Sequence, residues 1–424
     1  MNIAVIGAGY VGLVTAAGLA SLGHHVSLGE ANADRVRRLE DGEIPIYESG
    51  LDELVRWARS SNRLRFHQSN IEAVKGAELV FLCLPTPAGD DGRADLSFVE
   101  SVVRELAHSL ESGAAFVVKS TVPPGTAQAL QASLLAAGSP TAVISHPEFL
   151  REGTAVHDFL HPDRVVIGSD DPILAKAVAS LYDSLATEVI ETDQTSAEMI
   201  KYSSNSYLAT RLTFANTLAN LCEAVGADIV DVLRGVGLDH RIGPHFLKPG
   251  PGYGGSCFPK DTLALISLAE DAGYDFRLLR AVIAADEEQR RRVADKVKAA
   301  AGGGLRGRRV AVWGVAFKAG TDDVRESPSS LIAALLQREG ALVTAYDPEA
   351  RDPNLRHADS ALAAVEGADV LLVATEWPEF AKVDLEQVAA RMRGHRVVDA
   401  RNLLDPRQVR AAGLDYSGLG RPNA

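Results

Sequence analysis

The chain has 424 residues, 46% hydrophobic and 23% charged, which is the balance of a soluble globular enzyme of two or three domains. A formal net charge of −13 excludes a broad nucleic-acid-binding face, and leaves room for a small anionic ligand held by a local cluster of Arg, Lys and backbone N–H groups. Three cysteines far apart in the chain argue against a disulfide framework, no CxxC or HExxH string marks a metal site, and no apolar run reaches the roughly 18 residues of a membrane span.

Asn2-Ile3-Ala4-Val5-Ile6-Gly7 opens the chain as a buried strand and not as a signal peptide, so the expected compartment is the cytoplasm. Across 1–195, β-rich runs (Asn2–Ile6, His25–Leu28, Leu79–Leu84, Phe116–Lys119, Ala142–Ser145) alternate with helical stretches, which predicts a doubly wound parallel sheet. From Ser196 to Val225 there is no Gly or Pro. Met199, Tyr202, Leu208, Leu212, Ala215, Leu218 and Cys222 recur at helical spacing, predicting one long helix; further helices are predicted at 259–273 and 277–301. Gly302-Gly303-Gly304 marks a helix end and a linker. Beyond it, Arg309–Gly314 echoes Asn2–Gly7, and Ala364–Val373 echoes Ala73–Leu82, with closer spacing in the second copy; the extra residues of the first copy are expected in a loop around Gly42–Ser61. The predicted architecture is α/β: two Rossmann-like doubly wound domains, 1–195 and 301–424, joined by a central long-helix region, 196–300.

Gly7-Ala8-Gly9-Tyr10-Val11-Gly12 is a G-x-G-x-x-G placed between a strand and a helical run. The first Gly permits the tight turn, the second lets backbone approach a pyrophosphate, and the third lets helix and strand pack closely. Glu30 ends the next strand, where a carboxylate accepts hydrogen bonds from ribose hydroxyls and repels a 2′-phosphate, so the expected cofactor is NAD. Gly314-Val315-Ala316-Phe317 lacks the fingerprint, and the second domain is expected to bind something other than a dinucleotide.

Pro249–Asp261 (PGPGYGGSCFPKD) carries four glycines in six residues, expected to form a loop lying against a ligand, and Pro259 suits the first position of a helix. Cys257 thus sits just outside a helix N-terminus. The dipole and the nearby Lys260 should favour its thiolate, whereas Cys83 (mid-strand) and Cys222 (mid-helix) read as small buried hydrophobes.

The string GYGGSCFPKD resembles the signature of the UDP-glucose/GDP-mannose dehydrogenase family, and the similarity runs over roughly residues 1–410. The resemblance implies that Cys257 is the catalytic cysteine, Asp261 the catalytic aspartate, and Lys201 and Asn205 the catalytic lysine and asparagine; the spacing of four puts the last two on one helical face. His146–Gly153 resembles the PEFLREG segment, implying catalytic and substrate roles for Glu148 and Glu152 and backbone contacts from Phe149 and Leu150. Thr121 matches a threonine that helps hold a catalytic water. The implied cofactor set is Gly7, Gly9, Tyr10, Val11, Gly12, Glu30, Arg35, Pro85, Thr86, Ser120, Thr121, Glu152, Lys260 and Arg325. The implied substrate set adds Tyr253, Gly254, Gly255, Phe317, Lys318 and Arg401 to Glu148, Phe149, Leu150, Glu152, Lys201, Asn205 and Cys257, with Arg241 supplied by a dimer partner. Family members usually have Asp where this chain has Glu30.

The chemistry implied is NAD-dependent oxidation of a nucleotide-sugar C6 alcohol to the carboxylate through a thiohemiacetal and a thioester on Cys257. UDP-glucose is the expected substrate, with GDP-mannose or a UDP-N-acetylhexosamine as alternatives. A two-electron hydroxyacid dehydrogenase would leave Cys257 without work, and a NAD-binding regulatory protein would show no turnover. The expected partner is a second copy of the chain, with the Ser196–Val225 helix in the interface.

Overall fold

The computed structural model describes residues 1–89 and 91–422, so the last two residues of the expected third domain lie outside it. Contacts divide the chain into two compact units: Met1–Ser204 with Leu263–Asp271, and Asn205–Thr262 with the chain from Ala272 onward. Two helices, Gln194–Val225 and Phe258–Asp271, begin in one unit and end in the other.

The first unit holds eight strands: β1 (Asn2–Ile6), β2 (His25–Gly29), β3 (Leu64–His67), β4 (Leu79–Leu82), β5 (Ala115–Val118), β6 (Ala142–Ser145), β7 (Arg164–Gly168) and β8 (Glu188–Thr192). Their order is β3-β2-β1-β4-β5-β6-β7-β8. The first six are parallel, and β7 joins β6 antiparallel at Ser145–Gly168. The β3-β2-β1-β4-β5-β6 run is the dinucleotide-binding strand order, with its switch point between β1 and β4. Both faces are buried, which is why the strands read as continuous apolar runs: Ile3 and Val5 enter one core cluster with Leu13, Ala17 and Phe159, while Ala4 and Ile6 enter another with Val99, Val103 and Leu130.

The second unit holds a six-stranded parallel sheet: β9 (Arg309–Trp313), β10 (Leu342–Tyr346), β11 (Arg356–His357), β12 (Val370–Val373), β13 (Arg396–Asp399) and β14 (Asp415–Gly418). Its order, β11-β10-β9-β12-β13-β14, repeats that of the first sheet, so the duplicated α/β architecture expected from the sequence is present. The extra residues of the first copy do include the segment expected at 42–61, but part of it is helix and not loop. The β2–β3 connection carries two helices, Ala33–Glu40 and Leu51–Ser60, whereas the β10–β11 connection carries none. Leu51, Val55 and Ala58 bury one face of the second of these helices, so this segment is packed and helical. The second copy is in turn longer after β9, where residues 314–327 run before the Pro328–Arg338 helix.

Three smaller expectations also shift. Cys83 follows β4 instead of lying within it, although it is buried; the helix after Cys257 starts at Phe258, one residue before Pro259; and the long helix starts at Gln194. Among the described residues no helix is long and apolar enough to cross a membrane.

Candidate active site

In the first unit, Gly9 is the N-cap of the Tyr10–Ser21 helix, at the carboxyl end of β1. Gly7 has φ +100°, and a Cβ there would lie 2.5 Å from the Cys83 carbonyl oxygen; a Cβ on Gly12 would lie 1.8 Å from the Gly7 carbonyl oxygen. At Gly9 a Cβ would meet nothing within 4 Å. Two glycines are therefore required by packing, and the middle one borders open space at a helix N-terminus, the arrangement that accepts a pyrophosphate. Glu30 follows β2. Its carboxylate accepts N–H from Ala8 (3.0 Å) and Asn32 (2.8 Å) and meets Arg35 at 3.4 Å.

The equivalent acid after β10 is Asp347. It accepts from the backbone N–H groups of Val315, Ala316, Glu349 and Ala350 and from the indole of Trp377. Five donors saturate that carboxylate, whereas Glu30 retains acceptor capacity for ribose hydroxyls. This is a physical difference, beyond the missing glycines, between the acid of the second domain and Glu30 in the first.

At the ends of β4 and β5, Thr86 donates to the Thr121 carbonyl (2.8 Å), and the Ser120 hydroxyl accepts from Leu84 N–H (2.8 Å) while Pro85 stays exposed. Ser120, Thr121, Glu198 and Lys201 line one cavity of about 10 Å³. Lys201 donates to Glu148 at 2.9 Å, with both residues buried, and lies 5.4 Å from the Phe149 ring centroid. The other Glu148 oxygen accepts the Leu150 N–H at 2.6 Å, so one of the backbone groups expected along the substrate, the Leu150 amide, is engaged within the protein and the carbonyls of Phe149 and Leu150 remain as the contact groups. The Arg164 guanidinium lies 3.6 Å from the same Phe149 ring centroid. Glu152 is half-buried in the following turn. That turn is held by Tyr10, one of the expected cofactor residues, and by Glu48, which the sequence reading missed: Gly153 N–H points at both the Tyr10 hydroxyl (2.8 Å) and Glu48 (2.7 Å), and Glu48 also accepts from Ala155 N–H (2.8 Å).

In the second unit, Cys257 is the residue whose carbonyl accepts the first N–H of the Phe258–Asp271 helix, from Asp261 at 3.0 Å. Its thiol is half-buried, 3.6 Å from the Ser256 hydroxyl. One turn further, fully buried Asp261 accepts from Asn205 Nδ2 and from Lys260 Nζ, each at 2.6 Å. Lys260 thus directs its ammonium to Asp261, while the helix N-terminus places its partial positive charge beside the thiol.

At two positions the glycine loop is small because protein packs against it. A Cβ on Gly254 would lie 2.2 Å from the Glu326 carbonyl oxygen, and one on Gly255 (φ +82°) would lie 2.9 Å from the Phe317 ring. Protein packing against residues 317–328 therefore dictates these glycines. The loop is pinned from behind by mid-helix polar residues that the sequence reading passed over. Gly250 N–H donates to Asn216 (2.7 Å), Gln289 donates to the Gly250 carbonyl (2.8 Å), and Tyr253 N–H donates to Asp286 (2.8 Å), which Arg290 pairs at 2.6 Å. Burial pushes the Asp286 carboxyl up to about 6, against the pull of Arg290, and pushes the buried Tyr253 phenol up to about 12. Arg401 donates to the carbonyls of Phe317 (2.9 Å) and Ala374 (2.9 Å), so it fixes the loop that carries Phe317 and Lys318. Arg325 is bidentate on Asp323 in the same loop. Arg241 stands apart on the surface, 77% exposed and bidentate on Asp239. Among the described residues there is no group of three or more His, Cys, Asp or Glu side chains that could hold a metal ion.

Residues 1–186 match the NAD binding domain of the UDP-glucose/GDP-mannose dehydrogenase family, 195–288 its central domain and 311–406 its UDP binding domain. The chain belongs to that family. It is 44% identical to the UDP-glucose 6-dehydrogenase of Pseudomonas aeruginosa, over 100% of this chain and 98% of the relative, and 41% identical to that of Bacillus subtilis, over 99% and 93%. Among solved structures it is similar to a UDP-glucose dehydrogenase from Pyrobaculum islandicum (TM-score 0.91, 39% identity, 99% and 97% covered). It is also similar to a UDP-D-ManNAc dehydrogenase from Pyrococcus horikoshii (TM-score 0.91, 30% identity, 100% of both chains). The two folds match equally well; sequence identity separates them.

Proposed function

We propose that this chain oxidises the C6 alcohol of UDP-glucose to the carboxylate, with NAD as hydride acceptor and Cys257 as covalent nucleophile. The observation that carries the reading is the Cys257–Asp261 turn: a half-buried thiol at a helix N-terminus, one turn from a buried carboxylate clamped by Asn205 and Lys260. The identities of 44% and 41% to UDP-glucose 6-dehydrogenases favour that sugar over GDP-mannose and UDP-N-acetylhexosamines.

Gly7–Gly12 and Glu30 would hold NAD, which when bound would supply the hydride acceptor for each of two steps. Asp261 takes the proton from the C6 hydroxyl, with Glu148 and Glu152 as second candidates, as C6 loses the first hydride and becomes an aldehyde. The Cys257 thiolate then adds to the aldehyde carbon, and the resulting tetrahedral alkoxide, stabilised by Lys201 and Asn205, expels the second hydride to leave a thioester. Water adds to the thioester carbon, the C–S bond breaks, and the carboxylate leaves with one oxygen from water. Lys318 and the Gly250–Gly255 loop hold the sugar nucleotide, as do Tyr253, Phe317, Arg401 and the Phe149–Leu150 backbone; Pro85, Thr86, Ser120, Thr121 and Arg325 border the cofactor. On this reading 1–195, 196–300 and 301–424 serve as NAD-binding, central and UDP-sugar-binding domains, and the protein works in the cytoplasm.

The protein is proposed to be a homodimer. Along the Gln194–Val225 helix, Met199, Tyr207, Phe214, Leu221 and Val225 form an exposed apolar stripe at near-heptad spacing, distinct from the buried Tyr202, Ala215 and Cys222. A second copy of the chain would cover the stripe and supply Arg241. Light scattering at micromolar concentration should give a dimer; a monomer would remove the trans role of Arg241. Substrate identity is tested by NADH absorbance with UDP-glucose, GDP-mannose, UDP-N-acetylmannosamine and a hydroxyacid. UDP-glucose should give the highest kcat/KM, and turnover confined to any of the other three would overturn the assignment.

A further inference from the structure

Lys119 and His146 take no part in the chemistry above, yet both are buried within two residues of groups that do. Lys119 N–H donates to Leu82 and His146 N–H to Val118, which places the two residues just past β5 and β6, two positions before Thr121 and Glu148 respectively. Lys119 is 5% exposed and His146 1%. His146 Nδ1 lies 2.7 Å from the Val166 carbonyl, an atom that only accepts, so Nδ1 carries the proton and Nε2 is an acceptor. That acceptor receives Lys119 Nζ at 3.1 Å and the Tyr182 hydroxyl at 2.7 Å. Among the described residues, His146 is the one hydrogen-bond acceptor that the Lys119 ammonium finds.

Among the described residues no carboxylate forms an ion pair with Lys119. Burial and the neighbouring Lys119 hold His146 well below the usual histidine range, so it is neutral. Burial pushes the Cys83 thiol up to about 12 and raises the Tyr182 phenol, so both are protonated. Burial lowers Lys119 to about 8, so at neutral pH it is mainly a cation, and the charged groups it senses are Glu148, which attracts it, and Lys201, which repels it. A buried ammonium held by neutral partners costs stability, and a methionine of similar length would not incur that cost.

We propose that Lys119 is a positioning residue for the Glu148–Lys201 pair, a second buried cation whose field, fixed by His146, attracts the Glu148 carboxylate and disfavours a second ammonium at Lys201. The proposal deepens the reading of that pair as part of the dehydrogenase site and rests on it.

The test is Lys119→Met in the full chain, beside His146→Leu, which removes the acceptor, and His146→Gln, which retains one. In Lys119→Met the acid limb of kcat/KM for UDP-glucose should move to higher pH by about one unit, a roughly tenfold loss below the limb with the plateau retained. His146→Leu should move the limb the same way and His146→Gln should hold it near the wild-type position. Tm of Lys119→Met at pH 7 should equal or exceed that of the wild type. A limb that stays in place, or a uniform loss of activity at every pH together with a fall in Tm, overturns the proposal in favour of a packing role.

A second arm needs no turnover. Lys119 has its folded value near 8 against an ordinary 10.5, so over that window the unfolded chain binds more protons and wild-type stability should gain a rising component with pH that Lys119→Met lacks. Equal slopes in the two proteins would overturn the buried cation itself. Failure of wild type to reduce NAD with UDP-glucose would instead overturn the functional reading, and the two failures are distinguishable.

Discussion

Removing the carboxylate of Glu148 should separate stability from catalysis in the first unit. Glu148 and Lys201 are 5% and 4% exposed and meet at 2.9 Å, and the second Glu148 oxygen holds the Leu150 N–H at 2.6 Å. Glu148→Leu leaves the Lys201 ammonium without its carboxylate and the Leu150 amide without its acceptor. Deleting one partner of a buried pair costs about 3–5 kcal/mol. For a domain of this size that corresponds to a fall of roughly 6–20 °C in Tm. Pairing the change with Lys201→Met replaces both charges by apolar groups of similar volume, which is commonly close to neutral, so the double variant should regain most of the loss. Activity should not follow. With the Lys201 donor gone, kcat should stay down by about 10²–10³, the value of one oxyanion donor. Urea unfolding, followed separately from NADH production, measures both. A single Glu148→Leu cost below about 1 kcal/mol, or a double variant no more stable than the single, would refute the reasoning that the pair is a tightly coupled buried unit.

Gly254→Ala places a Cβ 2.2 Å from the Glu326 carbonyl oxygen, a backbone atom that cannot swing aside, so the loop before Cys257 must shift. The expected result is a large loss of turnover, with NAD affinity by equilibrium titration unchanged because Gly7–Gly12 and Glu30 belong to the other unit; a near-normal kcat would show the loop to be tolerant. Asp286, raised from 3.8 to about 6, keeps its proton in the folded state over a range where the unfolded chain has lost it. The native state therefore binds more protons between about pH 4 and 6, and this group's contribution to stability falls as pH rises through that window. Asp286→Asn should remove that component from urea-unfolding free energies measured at pH 4, 5 and 6, while also loosening the Tyr253 amide.

The parts of the fold that read clearly from sequence were those with a local signal. Continuous apolar runs such as Leu79–Leu82 gave the buried parallel strands, and the uninterrupted Ser196–Val225 segment gave the long helix because it contains no residue that ends one. The helix at Leu51–Ser60 had a local signal too, Leu51, Val55 and Ala58 at helical spacing, but it is short and the stretch before it, with Gly42 and Gly50, has the composition of a loop. On the long helix apolar residues occur on every face, so spacing alone could not separate the inward set from the exposed Tyr207, Phe214 and Leu221. The catalytic candidates were legible as types, since a cysteine at a helix start and Lys201 and Asn205 one turn apart are local patterns. Their supports were not. Glu48 binds amides more than 100 positions away, Gln289 reaches Gly250, and Gly254 is small because of Glu326; in each case the reason lies in a distant backbone atom.

The central claim is a four-electron oxidation through Cys257, and the most direct measurement is the amount of NADH formed per UDP-glucose consumed, in wild type and in Cys257→Ser, with intact-protein mass spectrometry on both. The wild type should form two NADH per sugar without free aldehyde. The serine variant keeps size and shape but has a far weaker nucleophile and, after the second hydride leaves, a less electrophilic ester, so it should turn over slowly and accumulate a sugar-nucleotide adduct on residue 257. One NADH per sugar with aldehyde released by the wild type, or near-normal turnover by Cys257→Ser, would contradict the account.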